Sequence, residues 1–248
     1  MTAGSPPAKP TRAPAGPAQL ALQFPLSPRY RFDNFVLGAN AELVLRLEQL
    51  VEQGPGFGGC FVFGARGVGR THLLQAACHL QGSRAGSRSS AIYLPLADPM
   101  VTPELLDGLD RLELVALDDV EAWLGDARRE GALLALYQGL LSAGGRLLVS
   151  AGIAAGQLQC RYPDLASRLR GLPAYQLRAL DDAGKARVLE RLARERGLQL
   201  TEPVLDFWLA RSARDLSELL LQFERLDVAA MAAQRRVTVP LVKQVLGL

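Results

Sequence analysis

Between residues 60 and 177, short apolar runs alternate with longer segments of helical spacing. The runs at 60–63, 91–94, 112–117, 147–150 and 175–177 carry Val, Leu, Ile and Phe without strict polar alternation, as strands covered on both faces do. Helical spacing is predicted over 71–80, 103–109, 132–141 and 164–169. An earlier helix over 41–53 places Leu43, Leu47 and Leu50 on one face. This alternation predicts a parallel five-stranded sheet with right-handed crossovers. After Leu180 the strand signal stops, and helices are predicted over 185–196, 203–211, 215–233 and 240–246. The expected architecture is an α/β core over 25–178 and a small all-helical C-terminal domain over 179–248. Residues 1–18, rich in Ala, Pro and Gly, read as a flexible tether. A short apolar patch, 19–24, follows before Pro25 and Pro28 break regular structure.

With 248 residues, 49% hydrophobic and 21% charged, the body is globular. No apolar run approaches the roughly 18 residues of a membrane span, and the N-terminus lacks the apolar stretch of a signal peptide. Cys60, Cys78 and Cys160 have no CxxC spacing, as expected of reduced thiols in a cytoplasmic protein. With only His72 and His79 as histidines, they make a poor zinc set. The net charge of +3 is too balanced for a protein that grips duplex DNA directly. Lys9, Lys185 and Lys243 are the lysines among 28 basic residues, so arginine is the default cation here.

The candidate chemistry begins at Gly64-Ala65-Arg66-Gly67-Val68-Gly69-Arg70-Thr71, directly after a predicted strand and opening a predicted helix. This is the phosphate-loop pattern with arginine in the lysine place. Glycines let the backbone curl so that successive N–H groups face phosphate oxygens, and the helix N-terminus adds partial positive charge. Thr71 would place its hydroxyl on Mg²⁺. Arginine is planar and larger than lysine and cannot occupy the same volume. Arg70 is therefore expected to attract a diphosphate without supporting strong hydrolysis in cis. One strand–helix unit later, Asp118 and Asp119 end an apolar run. There Asp118 would hold Mg²⁺ and Asp119 would stand where a water-activating carboxylate is needed.

Together these segments resemble the AAA+ ATPases, and within them the DnaA-like replication proteins. The sequence Phe32-Asp33-Asn34-Phe35-Val36-Leu37-Gly38 is similar to the entry segment beside the adenine in that group, and 72–77 continues the phosphate-loop helix as in DnaA. The narrower resemblance is to the Hda family of DnaA regulatory inactivators. It rests on Gly-Arg-Thr-His-Leu-Leu at 69–74, on the terminal stretch 237–243, and on Gln19-Leu20-Ala21-Leu22-Gln23-Phe24 at the place of the family's sliding-clamp peptide.

The resemblance implies bound ADP or another nucleoside diphosphate with Mg²⁺, and docking on the DNA-loaded clamp through Gln19, Leu20, Leu22 and Phe24. By the residues alone, 19–24 equally suits a surface strand packing Leu20, Leu22 and Phe24 on the core. Among Arg161, Arg168 and Arg170, the resemblance selects Arg168 as an arginine finger that enters the ATP site of DnaA. Arg214 would be the lid's sensor arginine. Without a phosphate it would sit poorly in the first turn of a helix. The implied function is inhibition of replication initiation, in the cytoplasm at the nucleoid, with DNA reached through the clamp. A homodimer is left open. The rival readings are a self-sufficient ATPase, such as a helicase loader, and a DnaA-like DNA-binding initiator. Where relatives place an aspartate near Gly152, this chain has Ser150 as the only obvious polar group.

Overall fold

The computed structural model describes residues 24–54, 56–84, 90–212, 215–232 and 236–248. Five parallel strands form one sheet: β1 (Gly58–Phe63), β2 (Ala91–Pro95), β3 (Leu114–Asp118), β4 (Arg146–Ala151) and β5 (Ala174–Gln176), in the order β2-β3-β4-β1-β5. Successive side chains alternate between two cores, as the two-residue period of a strand requires. Cys60 and Val62 join one apolar cluster, and Phe61 the other. Leu114 and Ala116 are likewise separated from Val115 and Leu117. Helices α1 (Ala41–Glu52) and α2 (Arg70–Arg84) cover one face. The other is covered by α3 (Ala127–Ala143) and α4 (Pro163–Gly171).

A third cluster, from Leu189 to Val242, is the core of a separate helical unit. It is built by α5 (Asp182–Arg196), α6 (Glu202–Leu209), α7 (Leu216–Ala232) and α8 (Val239–Leu246). Trp208 is fully buried there, with its indole N–H donating to Gln222 Oε1 at 2.6 Å. No helix among the described residues is long and apolar enough to cross a membrane.

Several boundaries differ from the sequence expectation, each for a local reason. The segment expected as one helix over 103–109 is two 3-10 turns, Pro103–Leu106 and Leu109–Arg111, because Gly108 at φ 77 breaks the chain between them. The helix expected at 132 starts at Ala127. Asp126 accepts hydrogen bonds from the Arg128 and Arg129 backbone N–H groups, and that cap carries a polar first turn which the apolar pattern does not mark. The helix expected over 71–80 runs to Arg84, and β3 begins at Leu114 rather than 112.

Candidate functional site

The strand order fixes the site. In an open parallel sheet, ligands bind beyond the C-terminal strand ends. Here the loop after β1 and the carboxylates ending β3 lie on either side of β4. Ser150, near the end of β4, therefore stands between them. Its hydroxyl donates to Asp118 Oδ1 and accepts from the Asp119 N–H at 3.1 Å. Asp118 Oδ2 accepts from Thr71 Oγ1 at 2.6 Å and from the Tyr93 hydroxyl at 2.9 Å. Asp118 is only 3% exposed, so three hydroxyls satisfy a carboxylate that water scarcely reaches. Burial, together with the Asp118 charge, pushes the Tyr93 phenol well above its ordinary range and keeps it a donor. Thr71 and Asp118 are an adjacent hydroxyl and carboxylate of the kind that takes Mg²⁺ alongside a nucleotide phosphate.

Asp119 faces a different neighbour. Its backbone is left-handed at φ 56, uncommon for a residue with a side chain, though Asp tolerates it better than most. Its Oδ1 lies 2.7 Å from Arg70 Nη1, and Glu121 Oε1 lies 3.9 Å from the same nitrogen. Arg70 is 9% exposed and is not among the residues lining the adjoining cleft. The sequence placed Arg70 toward a diphosphate. Its Nη1 is instead ion-paired by distance with the second carboxylate but makes no hydrogen bond among the described residues. Glu121 was not singled out from the sequence. Its Oε1 also accepts the Gly152 N–H at 2.6 Å, so it ties the ends of β3 and β4 together.

The cleft itself, 560 Å³, lies between the glycine loop, the entry segment and the lid helices α5 and α7. Gly67 and Gly69 have φ of 82 and 108, values that side chains rarely adopt. A Cβ on Gly67 would stand 2.0 Å from Ser217 Oγ, and one on Gly69 would stand 3.0 Å from the Phe35 ring. The loop is thus shaped by close approach of the lid and of the entry segment. Arg66, Val68 and His72 also line the cleft, with Phe35, Val36, Leu180 and Val188 as apolar wall. Gly64 lies deeper, where a Cβ would meet the Leu177 carbonyl at 2.5 Å, and Ala65 is exposed. A curled glycine loop, a Thr–Asp oxygen pair and an apolar wall fit a nucleotide with Mg²⁺.

Three side chains of α2 fasten the entry segment to this site. Gln75 Oε1 accepts the Ser27 N–H at 2.7 Å, and His79 donates to the Ser27 carbonyl at 2.8 Å. The His72 Nε2–H donates to the Arg31 carbonyl at 2.9 Å, with its ring against Tyr30 and Phe35. Burial, reinforced by nearby Arg191, holds the His72 pKa below its usual value.

Arg168 lies on α4, on the sheet face opposite α2. Its Nε is 3.2 Å from Asp164 Oδ2, and its guanidinium lies 5.2 Å from the centre of the Tyr137 ring. Arg161 and Arg170 are exposed. The approach to α4 is set by Glu130, a fully buried carboxylate that the sequence reading passed over. It accepts N–H bonds from Gly125, Arg161 and Tyr162. Of the peptide 19–24, Gln19, Leu20 and Leu22 lie outside the described residues, as does Arg214. Phe24 is partly buried against the core cluster shared with α3 and α4.

Comparison with known proteins places these features. The family model for the bacterial DnaA ATPase domain matches residues 26–95, and that for the Hda lid domain matches residues 182–246. The chain is similar in structure to domain III of the Thermotoga maritima replication initiation protein DnaA. The identity is 20% and the TM-score 0.78, over 90% of this chain and 98% of that one. It is also similar to AMPPCP-bound DnaA from Aquifex aeolicus, at 22% identity and TM-score 0.67, over 84% and 68% of the two chains. The Thermotoga maritima RuvB Holliday junction branch migration motor follows the same fold at 17% identity and TM-score 0.64, over 83% and 66%. The chain thus carries one segment matched by the DnaA ATPase-domain model and one matched by the Hda lid model, on a fold shared with these DnaA and RuvB structures.

Proposed function

We propose that this protein regulates replication initiation as a nucleotide-bound partner of DnaA, holding ADP or another nucleoside diphosphate and hydrolysing little of its own. The observation that carries this reading is the 2.7 Å pair between Arg70 and Asp119. It engages both the cation of the phosphate loop and the carboxylate placed for water activation. Nucleotide then serves to set the lid against the core through the Gly67–Ser217 approach. Thr71 and Asp118 would hold Mg²⁺, which would offset phosphate charge, and Arg214 would reach the phosphates from the lid.

The chemistry falls to Arg168, acting in trans. A guanidinium inserted beside the γ-phosphate of ATP bound to DnaA stabilises the charge of the transferring group. Its pair with Asp164, which is 54% exposed, costs little to exchange, and Glu130 fixes the start of the helix that presents it. Docking on the sliding clamp is assigned to Gln19, Leu20, Leu22 and Phe24. Phe24 must leave its present contact with the core to enter a partner's groove. The clamp on DNA would raise the effective concentration of the two proteins.

The test is ATP turnover by DnaA with this protein and DNA-loaded clamp. Arg168→Ala is expected to return turnover to the level of DnaA alone, and equal stimulation by the two proteins would exclude the finger. Robust turnover by this protein alone, abolished by Asp118→Ala, would favour a self-sufficient ATPase instead.

A further inference from the structure

The cleft continues past its apolar wall. A second cavity, 380 Å³, lies between residues 35–38 and α5, and Arg187, Arg191 and Arg194 line it. Spacing of four and three residues puts the three guanidiniums on one helix face, spread over about 10 Å of axial rise. Their neighbours on the same helix are paired: Lys185 with Asp182, and Arg196 with Glu224 and Asp227. Among the described residues, none of the three arginines forms a salt bridge. Nη1 of Arg191 is buried with no hydrogen-bond partner among the described residues. Like charges on adjacent turns repel, and a buried guanidinium N–H left unbonded is costly. An anion in the cavity relieves both.

We propose that this cavity is a second phosphate-binding site, distinct from the glycine loop. No glycine-loop residue lines it, yet it shares Phe35, Val36 and Arg191 with the nucleotide cleft. The guanidinium fork matches phosphate oxygens in pairs. A volume within the small-ligand range suits a phosphate-bearing small molecule. The occupant is either a free pyrophosphate-like anion or a further phosphate carried by the nucleotide in the neighbouring cleft. The second source rests on the nucleotide reading above; the first does not.

Titration calorimetry on the full chain separates these sources. Pyrophosphate is titrated into protein saturated with Mg–ADP, and ADP is compared with its 3′-phosphorylated form on ligand-free protein. Each is repeated with Arg187→Gln/Arg194→Gln, two exposed positions, checked for an unchanged melting temperature. Binding of pyrophosphate alongside ADP identifies a free anion. A gain of about ten-fold for the 3′-phosphorylated nucleotide identifies the second source. In either case the gain is expected to vanish in the double variant while ADP affinity stays within about two-fold. Absence of both gains, or the same gain in both proteins, overturns the proposal. If ADP itself does not bind, the nucleotide reading fails. Pyrophosphate binding to ligand-free protein, compared with the double variant, then decides the phosphate site alone.

Discussion

The two ends of the candidate site are built on opposite plans. At the carboxylate end both aspartates are answered from within the chain, although Arg70 Nη1 and Glu121 Oε2 make no hydrogen bond among the described residues. Asp118 is satisfied by Thr71, Tyr93 and Ser150, and Asp119 by Arg70. At the cleft end Phe35, Val36, Leu180 and Val188 give an apolar wall, the glycine loop is approached by lid and entry segment, and three cations along α5 have no salt-bridge partner among the described residues. A site that must turn over nucleotide needs its acid and base poised for substrate. This one keeps them engaged with each other and reserves its open surface for binding. The contrast favours holding a ligand over consuming it.

The most damaging way to break the contrast is at Gly67. Alanine there meets a left-handed backbone costing about 1–2 kcal/mol, and its Cβ would overlap Ser217. ADP affinity by calorimetry is expected to fall by at least about ten-fold, with the lid displaced. Unchanged affinity would show that the lid contact does not shape the cleft. Arg70→Lys sharpens the other side. Lysine is shorter and lacks the guanidinium nitrogen that meets Asp119, so Asp119 is released and ATP turnover in cis should rise about ten-fold, or 1.4 kcal/mol of barrier. No rise would mean that the Arg70 pair is not what restrains hydrolysis.

The smallest effect is a pH dependence. The folded pKa of His72 lies below its unfolded value of 6.5. As pH falls below about 6.5, the unfolded chain takes up the proton first, and stability drops until the folded pKa is passed. Above 6.5 both states are neutral and this contribution is flat. Urea midpoints measured from pH 8 to 5 should show the decline, reduced in His72→Gln. An identical decline in both proteins would remove His72 as its source.

The glycine loop, Thr71 and the Asp118–Asp119 step were legible in the sequence because backbone curl and strand ends demand particular residues at fixed spacing. The five strands were legible because burial on both faces leaves an unbroken apolar run. What the sequence hid was direction. Nothing in the order of residues shows that Arg70 turns toward Asp119, since that depends on β4 lying between β1 and β3. Glu121 and Glu130 were passed over because a charged residue in a polar stretch looks solvated. Each is recruited by backbone N–H groups from loops about thirty residues away. The start of α3 was missed because a capped polar turn carries no apolar period. Ser150 was legible as the one hydroxyl on the apolar strand β4, and it meets both Asp118 and the Asp119 N–H.

Ser27 is held at both its backbone groups, by Gln75 and by His79. Once Phe24 has left its contact with the core, a pull from the N-terminal side therefore reaches these hydrogen bonds, on the rod whose opening turn carries Thr71. A partner holding residues 19–24 would have its leash fastened within one helix of the ligand's phosphates. Anchorage and cargo would then move as a single rigid piece.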